Sequence, residues 1–417
     1  MPGRSSIPSI REGCQVSAPG ARIAAGSAAF RRINRAMAFG GFSTFALLYC
    51  VQPLMPLLGR DFGLSPAQSS LVLSVATATL ALALLGSSNV AERFGRKKVM
   101  VGSMLSGAVL TLGCAFASDY LHLVALRACM GLMLGGLPAV AMAYLGDEIE
   151  PTSLGLSMGM YISGSAFGGM TGRVLSAFIS DFASWRIALG VLGAAGLYAA
   201  WEFSRSLPAS RHGATLPARG PGFVAGLRIH LRDPGLPWLF ALSFLLMGAF
   251  ITLYNYIGYR LLGAPFNLRP SAVGLLSLLY LLGIVSSMWA GKLADRLGRR
   301  NVLWLMMGLM ITGLLITLAD SLVAIVLGVG LATFGFFASH SVASSWVGRR
   351  ARAPQALASG IYLFFYYLGS SVVGWSGGYV YEHWGWTGVV TLLAGLLGVG
   401  LAIALHLRRL APLPVSY

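Results

Sequence analysis

Long uncharged apolar stretches, separated by short polar connections, recur along almost the whole chain. They lie at residues 36–58, 70–90, 99–117, 121–145, 153–180, 186–203, 238–262, 271–291, 302–319, 321–347, 355–381 and 386–407. Most are close to the roughly 20 residues that a helix needs to cross a bilayer. Because backbone in hydrocarbon must satisfy its own hydrogen bonds, and the stretches do not alternate as barrel strands do, we expect helices. The pattern predicts an all-α membrane protein with twelve transmembrane helices, which we number as spans one to twelve in chain order.

The composition agrees with this pattern. Of the 417 residues, 56% are hydrophobic and only 10% are charged, which excludes an ordinary soluble domain, where about a quarter are charged. We find no nucleotide-binding loop and no paired histidines at helical spacing, so we expect no enzyme activity, no cofactor and no bound metal.

Basic residues concentrate in every second connection. Connections on the side of the amino terminus contain 24 Lys and Arg residues, and those on the other side contain 4. Because Lys and Arg mark cytoplasmic loops, this asymmetry predicts that both termini are cytoplasmic. Membrane topology explains the basic clusters better than binding of nucleic acid, which we do not expect as a partner.

The longest connection divides the twelve stretches into two groups of six. The predicted organisation is a disordered basic leader at 1–35, a six-helix bundle at 36–203, a cytoplasmic linker at 204–237, a second six-helix bundle at 238–407 and a cytoplasmic tail at 408–417. The leader has no apolar run long enough for a secretory signal. It would be absent if translation began at Met37.

The connections after the second and eighth stretches repeat one motif. Residues 88–97 read Ser-Asn-Val-Ala-Glu-Arg-Phe-Gly-Arg-Lys, and residues 291–300, which lie 203 positions later, read Gly-Lys-Leu-Ala-Asp-Arg-Leu-Gly-Arg-Arg. The repeat indicates a duplication of six helices, and therefore two pseudo-symmetric bundles. Transporters that rock two halves around a central site use this arrangement.

Acidic side chains at these helix ends can approach the positive amino terminus of another helix. Glu92 would face span eleven near Gln355, and Asp295 would face span five near Thr152, so that the two halves are held together at the cytoplasmic side. The alternative is that the loops only anchor the topology through their basic residues. The candidate gate residues are Glu92, Arg93, Gly95, Arg96, Gly291, Asp295, Arg296, Gly298 and Arg299.

These motifs resemble those of the major facilitator superfamily, whose loop signature residues 291–300 match fully. Residues 126–131, around Arg127, are similar to its fourth-helix motif, and residues 164–169 are similar to the fifth-helix motif of its antiporters. The segment 49–56, together with residues 169–173, looks most like the sugar-efflux and drug/proton antiporter branch. The resemblance covers about residues 36–407, and it implies the fold of that family and a location in a bacterial inner membrane.

Few ionisable side chains lie well inside the apolar stretches: Arg127, Arg173 and His340 do, while all 13 acidic residues fall in or near connections. An arginine within a span costs at least about 2 to 3 kcal/mol and normally faces the bundle interior. Each arginine either contacts substrate or responds to protons, or it holds neighbouring helices together through carbonyls. His340 is a candidate proton carrier, with a structural hydrogen bond as its alternative. Other candidate proton sites are the acidic residues at the cytoplasmic rim, Glu92, Asp147, Glu148 and Glu150, with solvated surface charge as their alternative.

By the resemblance, spans one, four, seven and ten line a central cavity. The candidate cavity residues are Tyr49, Gln52, Arg127, Arg173, Tyr254, Asn255, His340 and Tyr366. Aromatic rings with a few polar groups suit an apolar or sugar-like ligand, although tyrosines near span ends also serve as interface anchors.

Small residues in span five are spaced by about four positions. The main ones are Gly164, Gly168, Gly169 and Gly172. This spacing allows another helix to approach closely, and we expect that helix to be span eight or span two.

The sequence thus predicts a secondary active transporter of a small organic solute. The resemblance implies proton-coupled efflux of a drug or sugar-like solute. One alternative is an importer of an anionic metabolite, which the two intramembrane arginines favour; another is a transport-inactive sensor. We expect a monomer whose partners are the solute, protons and the lipid bilayer.

Overall fold

The computed structural model describes residues 22–210, 223–351 and 355–410, and these residues form helices and short connections. The helices are α1 (Ala28–Tyr49), α2 (Met55–Phe62), α3 (Pro66–Phe94), α4 (Arg96–Cys114), α5 (Tyr120–Leu134), α6 (Gly136–Glu148), α7 (Pro151–Phe182), α8 (Trp185–Ser206), α9 (Phe223–Leu231), α10 (Leu236–Leu262), α11 (Pro270–Gly274), α12 (Tyr280–Leu297), α13 (Arg299–Ile316), α14 (Leu322–Arg350) and α15 (Gln355–Arg409). Two short 3₁₀ turns, Gln52–Leu54 and Leu275–Leu279, join successive helices.

The helices form twelve spans. Span one is α1 with α2, span four is α5 with α6, span eight is α11 with α12, and α15 contains spans eleven and twelve, which separate at Gly385 (φ 60°). The remaining spans are α3, α4, α7, α8, α10, α13 and α14 as spans two, three, five, six, seven, nine and ten. Nine helical stretches of the described chain are long and apolar enough to cross a membrane; Leu357–Arg409 holds two spans, and α4 and α7 complete the twelve. The predicted all-α fold is confirmed.

Helical structure extends beyond the apolar stretches at two places. The first helix begins at Ala28, where the Ser27 side chain accepts a hydrogen bond from the Phe30 N–H (3.1 Å), so residues 28–35 are helical and not part of a disordered leader. The hydropathy pattern does not reveal this helical segment because it contains three arginines. The helix α9 lies within the predicted linker, whose residues 211–222, like residues 1–21, lie outside the described chain.

In each bundle, hydrogen bonds hold the residues that precede its first span. In the first bundle, the Ile23 N–H donates to the Glu148 carbonyl (2.8 Å), and the Glu150 N–H donates to the Ile23 carbonyl (3.1 Å). In the second bundle, Asp233 accepts from the N–H groups of Gly235 (2.8 Å) and Leu236 (2.9 Å). We call the end of the molecule that carries both described termini and the basic loops the basic end, and the other the opposite end.

Asp233 also pairs with Arg350, which lies at the last turn of α14. The Asp233 carboxylate therefore caps span seven and ties it to span ten. Gly235 packs closely beside this pair: a Cβ at that position would lie 2.5 Å from Arg350 Nε, so the arginine would have to shift.

The glycines of span five pack against span one. A Cβ on Gly164 would lie 2.4 Å from the Ala38 carbonyl oxygen, and one on Gly168 would lie 2.0 Å from that of Phe42. Gly172 approaches Ala46 in the same way. The prediction of span eight or span two as the partner of these glycines is therefore wrong. Small-residue spacing shows that some helix comes close, but it does not determine which one.

Helices of different bundles approach closely at the opposite end. A Cβ on Gly274 of span eight would lie 2.4 Å from Ala177 Cβ of span five, and one on Gly378 of span eleven would lie 2.5 Å from Ala67 Cα of span two. Nearer the basic end, Cβ atoms added to glycines of the same four helices would meet nothing within 4 Å: these are Gly86, Gly155, Gly159, Gly291 and Gly360.

The buried apolar residues show the same difference between the ends. One continuous group includes Leu48 and Leu54 of the first bundle together with Phe250 and Tyr280 of the second. A separate group contains only first-bundle residues near the basic end, such as Phe30, Met37, Met104, Tyr144 and Phe203. The two halves thus share a core toward the opposite end, and they separate toward the basic end.

Candidate functional site

A polar cluster lies where the two bundles meet. Its members are Tyr49, Gln52, Arg173, Asn255 and Tyr280, and we call it the junction cluster. All five are buried, with no more than 6% of any of them exposed. Gln52 donates from Nε2 to Asn255 Oδ1 (2.6 Å) and to the Ile251 carbonyl (3.3 Å), which joins span one to span seven.

The chain at Gln52 leaves the regular helix. Span one ends its first helix at Tyr49, and a 3₁₀ turn at Gln52–Leu54 precedes α2. Pro53 and Pro56 lack the N–H that a continuous helix would use at those positions. This break in the helix places the Gln52 side chain against the second bundle.

Arg173 holds Gln52 from the first bundle. Its Nε donates to Gln52 Oε1, and its Nη1 donates to the Gly169 carbonyl (2.8 Å). Because a guanidinium only donates, the Gln52 oxygen faces Arg173, which turns the amide NH₂ toward Asn255. The guanidinium carbon also lies 4.2 Å from the ring centroid of Tyr49 and 4.8 Å from that of Tyr280. Aromatic faces stabilise a cation at such distances.

Arg127 lies apart from the junction cluster, although it is fully buried. Its donors go to the backbone carbonyls of Val72 (3.2 Å), Leu47 (3.1 Å) and Leu48 (2.5 Å), and to the sulfur of Met130 (3.2 Å). These contacts join span four to spans one and two within the first bundle. The geometry supports the structural alternative for Arg127.

The predicted cavity residues of the second bundle form an aromatic row. Tyr254 stacks edge-on with Tyr280 (5.1 Å between ring centroids) and shares a hydrogen bond with Thr333 (2.9 Å). Farther along, the His340 ring lies 4.7 Å from that of Tyr366, and His340 Nδ1 shares a hydrogen bond with the Tyr362 hydroxyl (3.0 Å). Phe250 and Phe336, stacked with centroids 3.8 Å apart, connect the two parts.

The two repeated loops make different contacts at the basic end. In the first, Arg96 pairs with Asp147 at the end of span four and donates to the Ala143 carbonyl (2.9 Å). In the second, Arg299 pairs with Asp295 of its own loop (3.1 Å) and donates to Ser345 of span ten (3.2 Å).

The remaining predicted gate residues can be placed as follows. Gly95 (φ 90°) and Gly298 (φ 83°) join consecutive helices in conformations that disfavour any side chain. Arg93 and Arg296 lie in the last turns of their helices, and Glu92 is exposed. Asp295 is directed to Arg299, while the Gln355 side chain lies outside the described part of the structure. The latch across the halves stays a prediction.

Sequence reasoning did not identify Tyr280 or the contact between Ser271 and Asp181. Tyr280 lies in span eight, which was not expected to line the cavity, and it covers Arg173 from the second bundle. The Ser271 hydroxyl donates to Asp181 across the opposite end, between spans eight and five. Nothing in the local sequence signals either contact, because both depend on how the two bundles meet.

Twelve spans in two similar bundles, joined at one end around buried polar groups, define a membrane transporter of the two-bundle type. The family model of the Major Facilitator Superfamily matches residues 37–265 and 257–416. The chain belongs to that superfamily, so it is a membrane transport protein and not an enzyme.

Relatives and solved structures agree. The chain is 46% identical over 394 residues to the inner membrane transport protein YnfM of Escherichia coli (strain K12), and the match covers 94% of each chain. It is 44% identical over 392 residues to the uncharacterized MFS-type transporter YybF of Bacillus subtilis (strain 168), covering 94% of this chain and 97% of the relative. A bacterial homologue of the human lysosomal transporter Spinster, in an inward-facing and occupied conformation, has the same fold: the TM-score is 0.76 at 15% identity, over 92% of this chain and 97% of that one.

Proposed function

We propose that the protein is a secondary active transporter of a small organic solute, and that the junction cluster is its gate at the opposite end. The hydrogen bond between Gln52 and Asn255 carries this proposal. The two residues are 203 positions apart, which is also the offset between the repeated loops. Equivalent positions of the two halves therefore meet near the pseudo-twofold axis, where rocking of the halves must separate them.

The basic loops assign the sides of the membrane in this proposal. Lys and Arg residues favour the cytoplasmic side, so the basic end and both termini are cytoplasmic, in a bacterial inner membrane. The structure then represents the inward-open state, with the gate closed toward the outside. In the outward-open state, Glu92 and Asp295 would contact the helix starts of the opposite half and hold the cytoplasmic side shut. Asp295→Asn should lower flux with the folded yield unchanged; unaltered flux would contradict this role.

We assign the transport direction and coupling as efflux of a drug or sugar-like solute in exchange for protons. The resemblance of residues 49–56 to efflux antiporters supports the direction. The aromatic row supports a solute with apolar faces, because rings offer large contact areas with few polar groups. His340 is the titratable side chain that we assign to proton exchange, since it lies deep in span ten beside Tyr362 and Tyr366.

Import of an anionic metabolite is a second candidate function. Arg173 and Asn255 line a narrow cavity at the junction together with Gln52 and Tyr254. Within the described chain, no carboxylate pairs with Arg173, and Asn255 Nδ2 has no hydrogen-bond acceptor. Buried donors without acceptors favour a ligand that carries an acceptor or negative charge.

Solute flux across the membrane of reconstituted, solute-loaded proteoliposomes under an imposed pH gradient tests these functions. Efflux antiport predicts that an inward-directed proton gradient drives neutral or cationic solutes outward, and that His340→Gln abolishes this dependence. Transport restricted to anions would favour the second candidate. Absence of flux for all solutes, with ligand binding intact, would support a transport-inactive sensor.

The gate itself is tested by a disulfide between Gln52→Cys and Asn255→Cys. Oxidation should stop flux and reduction should restore it, because the closed gate could not open. Gln52→Cys alone is the matched control, since it retains any pairing with the neighbouring Cys50. Flux that continues with the cross-link formed would exclude a gate at this position.

A further inference from the structure

A groove runs along the membrane-facing side of span one, between spans five and six. Its main part has a volume of about 470 Å³, with apolar walls that include Phe39, Phe42, Leu175, Leu192 and Tyr198. A second cavity of about 340 Å³ continues it toward the basic end and shares Arg35 and Phe39 with the first. We call the two together the span-one groove.

The length of the main part of the groove is close to the thickness of one leaflet of a bilayer. The walls of this part on α1 extend from Arg35 to Leu47, which corresponds to about 18 Å at the helical rise of about 1.5 Å per residue. Half of the roughly 30 Å hydrocarbon core is about 15 Å. An acyl chain that lay along span one from the basic end would thus reach the middle of the membrane.

The mouth of the groove at the basic end is positively charged. Arg31 and Arg35 line it, and Glu202 is the acidic residue in its wall. Arg35 is held only loosely by Glu202, at 3.7 Å, with 63% of the arginine side chain exposed. Arg32 lies in the same turn of α1, where it donates to the Arg205 carbonyl (2.5 Å).

We propose that the span-one groove binds an anionic phospholipid from the leaflet at the basic end. One acyl chain lies between spans five and six, and the phosphate contacts Arg31 and Arg35. The excess of arginine at the mouth complements a net negative headgroup, whereas a zwitterionic lipid offers no net charge to it. The groove is distinct from the junction cluster, which faces the other bundle.

Native mass spectrometry of the purified protein can measure this selectivity. Dioleoylphosphatidylglycerol and dioleoylphosphatidylcholine have identical chains, so a comparison of the two isolates the headgroup. We expect tighter binding of the phosphatidylglycerol. Arg31→Gln with Arg35→Gln should weaken it by about fivefold per arginine, while phosphatidylcholine binding hardly changes.

Three further variants distinguish lipid binding in the span-one groove from a general attraction of anionic lipids to basic residues. Lys98→Gln with Arg409→Gln removes the same charge at the basic end away from the groove and should leave binding unchanged. Ala195 lines the groove, so the larger side chain in Ala195→Trp should occupy it and weaken binding of both lipids. Glu202→Gln removes the competing carboxylate and should strengthen binding of phosphatidylglycerol.

Equal binding of the two lipids by the unmodified protein would overturn the proposal. So would an equal loss in the Lys98→Gln, Arg409→Gln control, because the attraction would then be general. Headgroup selectivity that persists undiminished in Ala195→Trp would place the lipid outside the groove and would also overturn it.

Discussion

Arg127 and Arg173 are both buried arginines of the first bundle, yet their surroundings differ. Arg127 gives its donors to three backbone carbonyls of spans one and two, so its contacts stay within one half. Arg173 binds the side chain of Gln52, which in turn reaches Asn255 in the other half. A charge bonded to backbone can only hold helices together, whereas one bonded to a bridging side chain can change partners. We therefore expect substitution of the first arginine to affect mainly stability, and substitution of the second to affect mainly transport.

The largest expected effect is the loss of stability in Arg127→Ala. Removing the guanidinium leaves the carbonyls of Val72, Leu47 and Leu48 without these donors, which should lower the free energy of unfolding by about 3 kcal/mol. Thermal unfolding in detergent and the folded yield measure this effect. Arg127→Lys, which keeps the charge but has fewer fixed donors, should recover only part of it. If Arg127→Ala folded normally and lost only transport, the comparison would fail.

Arg173→Gln should chiefly affect transport. The variant loses the donor that orients the Gln52 amide, so flux should fall about tenfold, equivalent to about 1.4 kcal/mol. Its unfolding temperature should stay above that of Arg127→Ala, because the carbonyl network of spans one, two and four is intact. Initial rates in proteoliposomes, normalised to the folded protein, measure the flux. A larger stability loss than in Arg127→Ala, with rates preserved, would reverse the assignment.

The bond between Gln52 and Asn255 should show pairwise coupling of about 1 kcal/mol. Gln52→Ala and Asn255→Ala should each shift the population toward outward-open by about fivefold, and the double variant should shift it little further. Labelling of Ser277→Cys, beside the junction cavity, by a membrane-impermeant maleimide reports this shift. Additive shifts would indicate that the two side chains act independently.

The smallest expected effect is a difference in stability loss between variants of the two repeated loops. Arg96→Ala removes a pair with Asp147, whose side chain is 34% exposed, whereas Arg299→Ala removes a pair with Asp295, which is 65% exposed. Exposed pairs contribute less, so Arg96→Ala should reduce the free energy of unfolding by about 0.5 kcal/mol more. Unfolding curves at low salt compare the two variants. High salt should reduce the difference, and equal losses at low salt would contradict it.

Much of the fold is predictable because hydropathy and the repeated loop are local properties of the sequence. The twelve spans and the duplication follow from them, and the positions of Gln52, Arg173 and Asn255 are identifiable as polar residues in apolar surroundings. Which of these side chains meet is not local. Gln52 and Asn255 are separated by 203 residues, and the rotation of span seven about its axis decides whether Asn255 faces span one.

Because contacts between distant helices are not local in the sequence, the predicted partner of the glycines in span five is wrong. The glycines of span five signal close packing, but their partner depends on the order of helices around the bundle, which places span one beside them. Arg127 is a different case, because the sequence leaves open whether it lines the cavity or holds helices together. Its contacts with the carbonyls of Val72 and Leu47 favour the second alternative, and they depend on two other helices rather than on any pattern in span four.

The contacts at the start of span seven determine where the chain can be divided into two polypeptides. Asp233 closes the first turn of α10 and pairs with Arg350, and α9 packs on both α10 and α15. The second half thus carries its own starting structure from Phe223 onward. Two separately expressed polypeptides, split upstream of Phe223, should each insert as a complete bundle and reassemble, whereas a split after Asp233 would deprive the second fragment of its cap.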